Sequence, residues 1–283
     1  MKLNIAVLPG DGIGPEVIAQ AQKVLKAIAM EFNHVFTFQH ALIGASAIEK
    51  TGNPLPEETI AICENADAIL FGAIGSVAFD LDPYAKIRPE QGLLRLRKSL
   101  DLYANIRPVI AYEDLLNKSS LKKKQISNTN ILIYRELTGG IYFGEKKISD
   151  DGNTASDICE YTRFEIERIA HLAFKAAQSR RRKLTLVDKA NALESSRLWR
   201  RVVQEMAPQY PNVRLNFMYI DNAAMELILN PRQFDVILTE NMFGDILSEE
   251  ASVIVGSIGL LASASLGEKH AMFEPIHGAY SKA

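Results

Sequence analysis

Asp245 and Glu249 stand four residues apart in the segment FDVILTENMFGDILSEEAS, residues 234–252. The segment reads as a buried apolar strand, Val236-Ile237-Leu238, running into a helix. Positions four apart on a helix share a face. Two carboxylates there offer hard oxygen donors to a divalent cation such as Mg²⁺ or Mn²⁺. Taken alone, the pair reads first as a solvated acidic face. Its neighbours along the chain change that reading.

Those neighbours are LPGDGIGPEV at 8–17, RPEQGLLRLRK at 88–98, NIRP at 105–108 and RELTGGIYFG at 135–144. They continue with VDKANALESSRLWR at 187–200, DNAAM at 221–225, NMFGDILSEEAS at 241–252 and FEPIHG at 273–278. In this order the phrases resemble the metal-dependent β-decarboxylating dehydrogenases, the isocitrate/isopropylmalate dehydrogenase family. The resemblance runs along nearly the whole chain. It implies oxidation of a 2-hydroxy acid by a nicotinamide nucleotide, followed by loss of the β-carboxylate. It also implies a two-domain α/β fold with a largely parallel sheet. The first, nucleotide-side domain would comprise 1–101 plus 256–283, and the second, dimerisation and metal/substrate domain 102–255. GDGIGPE is not a Rossmann fingerprint, because the third glycine of GxGxxG would fall on Pro15.

The roles that follow are those implied by the resemblance. Asp221, Asp245 and Glu249 would hold the cation, a Lewis acid for the C2 oxygen. Position 249 is normally aspartate in the family, so the extra methylene of Glu249 is a departure. Arg97, Arg107 and Arg135 would clamp carboxylates, for which a planar guanidinium fork is suited. Lys189 would be the general base and Tyr142 the acid that protonates C3. Glu90, Leu93 and Leu94 stand where the family recognises a γ-isopropyl group. Leu93, Leu94 and Arg97 lie within about one helical turn, so an apolar wall can sit beside a carboxylate clamp. That points to 3-isopropylmalate and leucine biosynthesis, with D-malate, tartrate or isocitrate as other substrates of the family. Ile13, Asn191, Glu274, His277 and Gly278 match positions that contact the nucleotide. NAD is expected, although 279–283 lacks the aspartate common in NAD-using members and carries Lys282, a feature of NADP-using ones. Lys189 and Asp221 would come from the neighbouring subunit, so a homodimer with shared active sites is implied.

The elements that must place these residues can be read from pattern. Strands are expected at Asn4–Leu8, Ala68–Phe71, Asn130–Tyr134, Lys183–Val187, Val213–Tyr219 and Phe234–Leu238. Helices are expected at about Pro15–Ala29, at Pro89–Leu100 and over 161–178. Alternation of the two argues for an α/β architecture with a largely parallel sheet. Residues 112–130 read as an irregular surface excursion. Asp221 reads as a helix N-cap and Tyr142 as a strand aromatic where no other role is assigned.

The bulk properties agree. The chain of 283 residues is 47% hydrophobic and 23% charged, with a formal net charge of −2. That gives no reason to expect nucleic acid or an anionic membrane as partner. The Lys122–Lys124 and Arg180–Lys183 clusters read as solvation of loops and helix ends. Two cysteines, Cys63 and Cys159, exclude a disulfide framework and fit a reducing cytoplasm. No run is long and apolar enough for a membrane span. Ala283 falls several dozen residues before the family's usual end. The expectation is therefore a first domain short of its terminal helices, with an inactive remnant or a non-catalytic partner subunit as the other reading.

Overall fold

The computed structural model describes residues 1–81 and 85–279. In chain order the elements begin with β1 (Lys2–Gly10), α1 (Gly14–Glu31), β2 (Val35–His40), α2 (Ala45–Thr51), α3 (Glu57–Glu64), β3 (Ala68–Ala73), α4 (Val77–Asp80) and α5 (Pro89–Ser99). Next come β4 (Ala104–Ile110), α6 (Lys123–Ile126), β5 (Asn130–Glu136), β6 (Lys146–Ile148), β7 (Ala155–Asp157), α7 (Arg163–Ser179), β8 (Lys183–Asp188) and α8 (Glu194–Met206). The series closes with β9 (Arg214–Tyr219), α9 (Ile220–Leu229), β10 (Val236–Thr239), α10 (Asn241–Glu250), α11 (Ser252–Val255), β11 (Ala262–Leu266) and β12 (Ala271–Pro275). The chain divides into two compact units, Met1–Leu102 with Ala262–Ala283, and Tyr103–Leu261.

In the first unit the strand order is β2-β1-β3-β12-β11, parallel except for the β11–β12 pair. Alternate residues of a strand face opposite sides. Ile5 and Val7 of β1 accordingly pack with Ile18 of α1, while Ala6 and Leu8 join Ile69, Phe71, Leu55 and Leu96 on the other face. With both faces covered, the strand reads as an unbroken apolar run, as parallel strands do.

The second unit has the order β4-β5-β10-β8-β9, with β4–β5 antiparallel and the rest parallel. Its core joins Leu184, Leu186, Val236 and Leu238 of the strands to Ile169 and Phe174 of α7 and to Trp199 and Val203 of α8. Trp199 meets Tyr161 edge-on, with ring centroids 5.4 Å apart. α7 starts at a capping box: Glu165 N–H donates to Thr162 Oγ1, and Thr162 N–H to Glu165 Oε2. A separate two-stranded ribbon, β6–β7, has all six residues exposed.

Three expectations need correction. Residues 112–130 are not irregular throughout, since Glu113–Lys118 forms a 3₁₀ helix and α6 follows. β4 escaped the pattern because Pro108, which has no N–H, reads as a strand breaker. β2, β11 and β12 were equally hidden, β11 because its buried positions are Ser263 and Ser265. Finally, Arg180 and Arg181 do more than solvate a helix end. Both pair with Asp235, which is 1% exposed.

Candidate active site

Each unit carries its own group of candidate residues. In the second unit the centre is Asp245, in the first half of α10. Arg135, at the end of β5, ion-pairs with Asp245 Oδ1 through Nη1. Arg107, on β4, places Nη1 3.5 Å from the same oxygen. The Tyr142 hydroxyl donates to Asp245 Oδ2 at 3.2 Å. Both arginines are buried, at 4% and 3% exposure, so their charge is little screened. Burial holds the Tyr142 phenol above its usual range, Asp245 adds to this, and Arg135 opposes it. At neutral pH Tyr142 therefore keeps its proton.

Residues that the sequence reading did not single out orient this cluster. Asn241 Oδ1 accepts from Arg135 Nε at 3.1 Å and Nη2 at 2.8 Å, while its amide donates to the Gly139 carbonyl. Asn105 accepts from Arg107 Nε at 2.6 Å and Ser248 from Arg107 Nη1 at 2.5 Å. Gly244 lets Arg135 lie against α10, because a Cβ there would fall 2.7 Å from Arg135 Cβ. The signal was present in NMFGDILS, where Asn241, Gly244, Asp245 and Ser248 follow helical spacing. Its meaning depends on which strand lies alongside. Tyr142 is in a turn, not a strand.

Lys189 follows β8 and forms an ion pair with Asp221, Nζ to Oδ1 2.6 Å. The Lys189 ammonium holds the Asp221 carboxyl below its usual value. Asp221 is not the N-cap expected of it. It lies in the first turn of α9, where Tyr219 takes the cap position and the helix dipole favours an acid. Asn191 is exposed on the turn after Lys189. Glu249 is exposed one turn beyond Asp245 and adds slightly to the rise of the Tyr142 phenol.

A divalent cation fits this unit by donor chemistry, since Asp221, Asp245 and Glu249 are carboxylates that solvent reaches. Among the described residues, however, no three acidic, His or Cys side chains come close enough to hold a metal ion.

In the first unit α5 carries Glu90, Leu93, Leu94 and Arg97. Arg97 is buried and reaches Glu274 of β12, Nη2 to Oε1 3.4 Å, while Ser265 donates to the same Oε1 at 2.7 Å. The Arg97 Nε is buried without a partner. Leu93 packs partly on the core, Leu94 is half-buried and Glu90 is exposed. The helix thus presents an apolar strip beside a buried cation.

Ile13 lies in the turn after β1, its N–H bonded to the Ala279 carbonyl at 2.8 Å. Gly10 and Gly12 have φ of 70° and 52°. A Cβ at Gly10 would lie 1.9 Å from the Ala73 oxygen, so these glycines serve close backbone packing. Asp11 was also missed. Its carboxylate accepts from the backbone of Ala45, Ser46 and Gly75. His277 Nδ1 contacts the Gly278 carbonyl at 2.9 Å, and Gly278 is exposed. Residues 280–283, including Lys282, lie outside the described residues.

The sequence profile of the isocitrate/isopropylmalate dehydrogenase family matches residues 4–283. The chain belongs to that family. Among individual relatives, it is 55% identical over 283 residues to the 3-isopropylmalate dehydrogenase of Bacteroides fragilis, covering 100% of this chain and 80% of that one. The family enzyme of the same name from Bacillus subtilis is also 55% identical, with 98% and 77% covered. Two solved family structures are similar. The isocitrate dehydrogenase of Methylococcus capsulatus superposes with a TM-score of 0.87 at 33% identity, covering 98% of this chain and 78% of that one. A β-decarboxylating dehydrogenase of Thermococcus kodakarensis gives 0.75 at 38% identity, covering 98% and 76%.

Proposed function

We propose that the chain is an oxidoreductase that converts 3-isopropylmalate to 4-methyl-2-oxopentanoate and CO₂ with reduction of NAD, a step of leucine biosynthesis. The observation that carries the chemistry is the convergence of Arg107, Arg135 and the Tyr142 hydroxyl on Asp245. Identity of 55% to enzymes of that name supports the choice of substrate. So does the Leu93–Leu94 strip beside Arg97, which suits an alkyl group next to a carboxylate.

The residues divide the work as follows. Lys189, as the neutral amine once its ion pair with Asp221 has opened, would take the proton of the C2 hydroxyl as hydride leaves C2. Arg97, Arg107 and Arg135 hold carboxylates, and Leu93, Leu94 and Glu90 surround the isopropyl group. When the bond from C3 to its carboxylate breaks, the electron pair stays on the C3–C2–O unit. Tyr142 then delivers its proton to C3. A Mg²⁺ or Mn²⁺ ion would be held by Asp221, Asp245 and Glu249 and would supply a Lewis acid, and NAD would be held at Ile13, Asn191, Glu274, His277 and Gly278 and would supply the hydride acceptor. The first unit is thereby the nucleotide side and the second carries metal and dimer contacts.

A shared site in a homodimer accords with the lack of any group of three metal donors among the described residues of one chain. The second unit also exposes Met225, Leu229, Ile246 and Val253 on α9, α10 and α11. No helix among the described residues is long and apolar enough to cross a membrane.

The test is spectrophotometric. The purified chain with Mn²⁺ is given 3-isopropylmalate, D-malate or isocitrate, each with NAD and with NADP. The expected result is NADH formation with 3-isopropylmalate at a kcat/KM at least about tenfold above any other pairing. Preference for another acid would reassign the substrate, and no turnover from folded protein would end the reading.

A further inference from the structure

Lys189 sits on the turn Asp188-Lys189-Ala190-Asn191, and polar groups grip this turn from several sides. Asp188 is fully buried and takes Arg200 Nη2 at 2.7 Å and Nε at 2.9 Å. It also accepts the Ala190 N–H at 3.0 Å, while Arg197 Nε donates to the Ala190 carbonyl. The Lys189 N–H donates to the Ser196 hydroxyl at 3.0 Å. That hydroxyl, wholly buried, donates in turn to Glu240 Oε1. A hydroxyl carries one proton and two lone pairs. With its proton drawn to Glu240, Ser196 turns a lone pair towards Lys189.

Glu240 follows β10 directly and is 3% exposed. Its neighbour Thr239 donates to the Val187 carbonyl at 2.9 Å, so successive residues hold the end of β8 and, through Ser196, the start of α8. Burying a carboxyl is costly, and a short apolar residue would fill the place more cheaply. We propose that Glu240 is a positioning residue for Lys189: by orienting the Ser196 hydroxyl it fixes the Lys189 backbone, and so the aim of Nζ. The inference rests on the reading of Lys189 as the base.

Amide hydrogen exchange and steady-state kinetics on the full chain decide it, using Ser196→Ala, Glu240→Ala, their double variant and Glu240→Gln. The expected result is Lys189 amide exchange about tenfold faster or more in both alanine variants, with α7 amides unchanged. kcat should fall by about tenfold with KM within about twofold, because aim is lost and not substrate contact. Glu240→Gln, which keeps an acceptor oxygen, should restore most of both. The double variant should be no worse than either single, since both break one link. Unchanged Lys189 exchange, KM rising in step with the loss of kcat, or additive losses in the double variant would overturn the proposal. Should Glu240→Ala not fold, Ser196→Ala and Glu240→Gln carry the test. If the wild-type chain does not turn over 3-isopropylmalate, the functional reading fails, and the exchange rates still decide the link.

Discussion

At the scale of single residues, burial decides which carboxyls can change charge near neutrality. Burial pushes the Glu240 carboxyl up to about 7 from an ordinary 4.5, the Ser196 hydroxyl partly offsets this, and Asp188 adds to it. The sign of its effect on stability follows. Between pH 4.5 and 7 the unfolded chain releases this proton while the folded chain still holds it. Stability is therefore lost as pH rises through that window, by roughly 3 kcal/mol at its upper end. Glu240→Gln cannot ionise and escapes the penalty. Its melting temperature should exceed the wild type's at pH 8 and approach it at pH 5. Parallel melting curves at both values would refute the assignment.

At the scale of elements, the junction of β10 with α10 organises the second unit's site. Glu240 faces the Lys189 turn through Ser196, and the next residue, Asn241, holds the Arg135 guanidinium. One turn on, Gly244 leaves the space in which Arg135 lies. Gly244→Ala would bring a methyl to 2.7 Å from Arg135 Cβ and Cγ, closer than real contacts allow. Alanine favours helix by about 1 kcal/mol over glycine, so α10 itself should not suffer. The expected outcome is a KM for 3-isopropylmalate raised about tenfold with a lowered melting temperature, because Cβ and Cγ are the fixed root of the buried Arg135 side chain. An unaltered KM would show that Arg135 does not meet the substrate. This arrangement was half legible in advance. The helix period placed Asp245 and Glu249 on one face, but the partners of Asp245 come from β4 and β5, more than a hundred residues earlier.

At the scale of the whole molecule, the proposed shared site calls for a second copy. Asp221 is exposed and held by Lys189, Asp245 is held by arginines, and no three acidic, His or Cys side chains come together among the described residues. Under that proposal, the exposed apolar side chains of α9 to α11 would supply the surface for association. Met225→Glu with Leu229→Glu should give a monomer by sedimentation, with turnover and Mn²⁺ affinity lost together. A monomeric variant that still binds Mn²⁺ and turns over would refute a shared site.

The sequence by itself determined the α/β alternation, the extents of α1, α5 and α7 to within about two residues, and the grouping of Leu93, Leu94 and Arg97 on α5. These depend on neighbours within one or two turns, and periodicity records such neighbours directly. Tertiary structure decided the rest. Strand register sets Arg135 opposite Asn105 on one side and Thr239 on the other, and so delivers it to Asn241 and Asp245. It likewise brings Glu240 to Ser196, 44 residues away in the chain. A buried polar group must find its partner wherever the fold provides one. Local sequence carries no trace of that partner, and for this reason Asn241, Ser196 and Glu240 became visible only once the strands were paired.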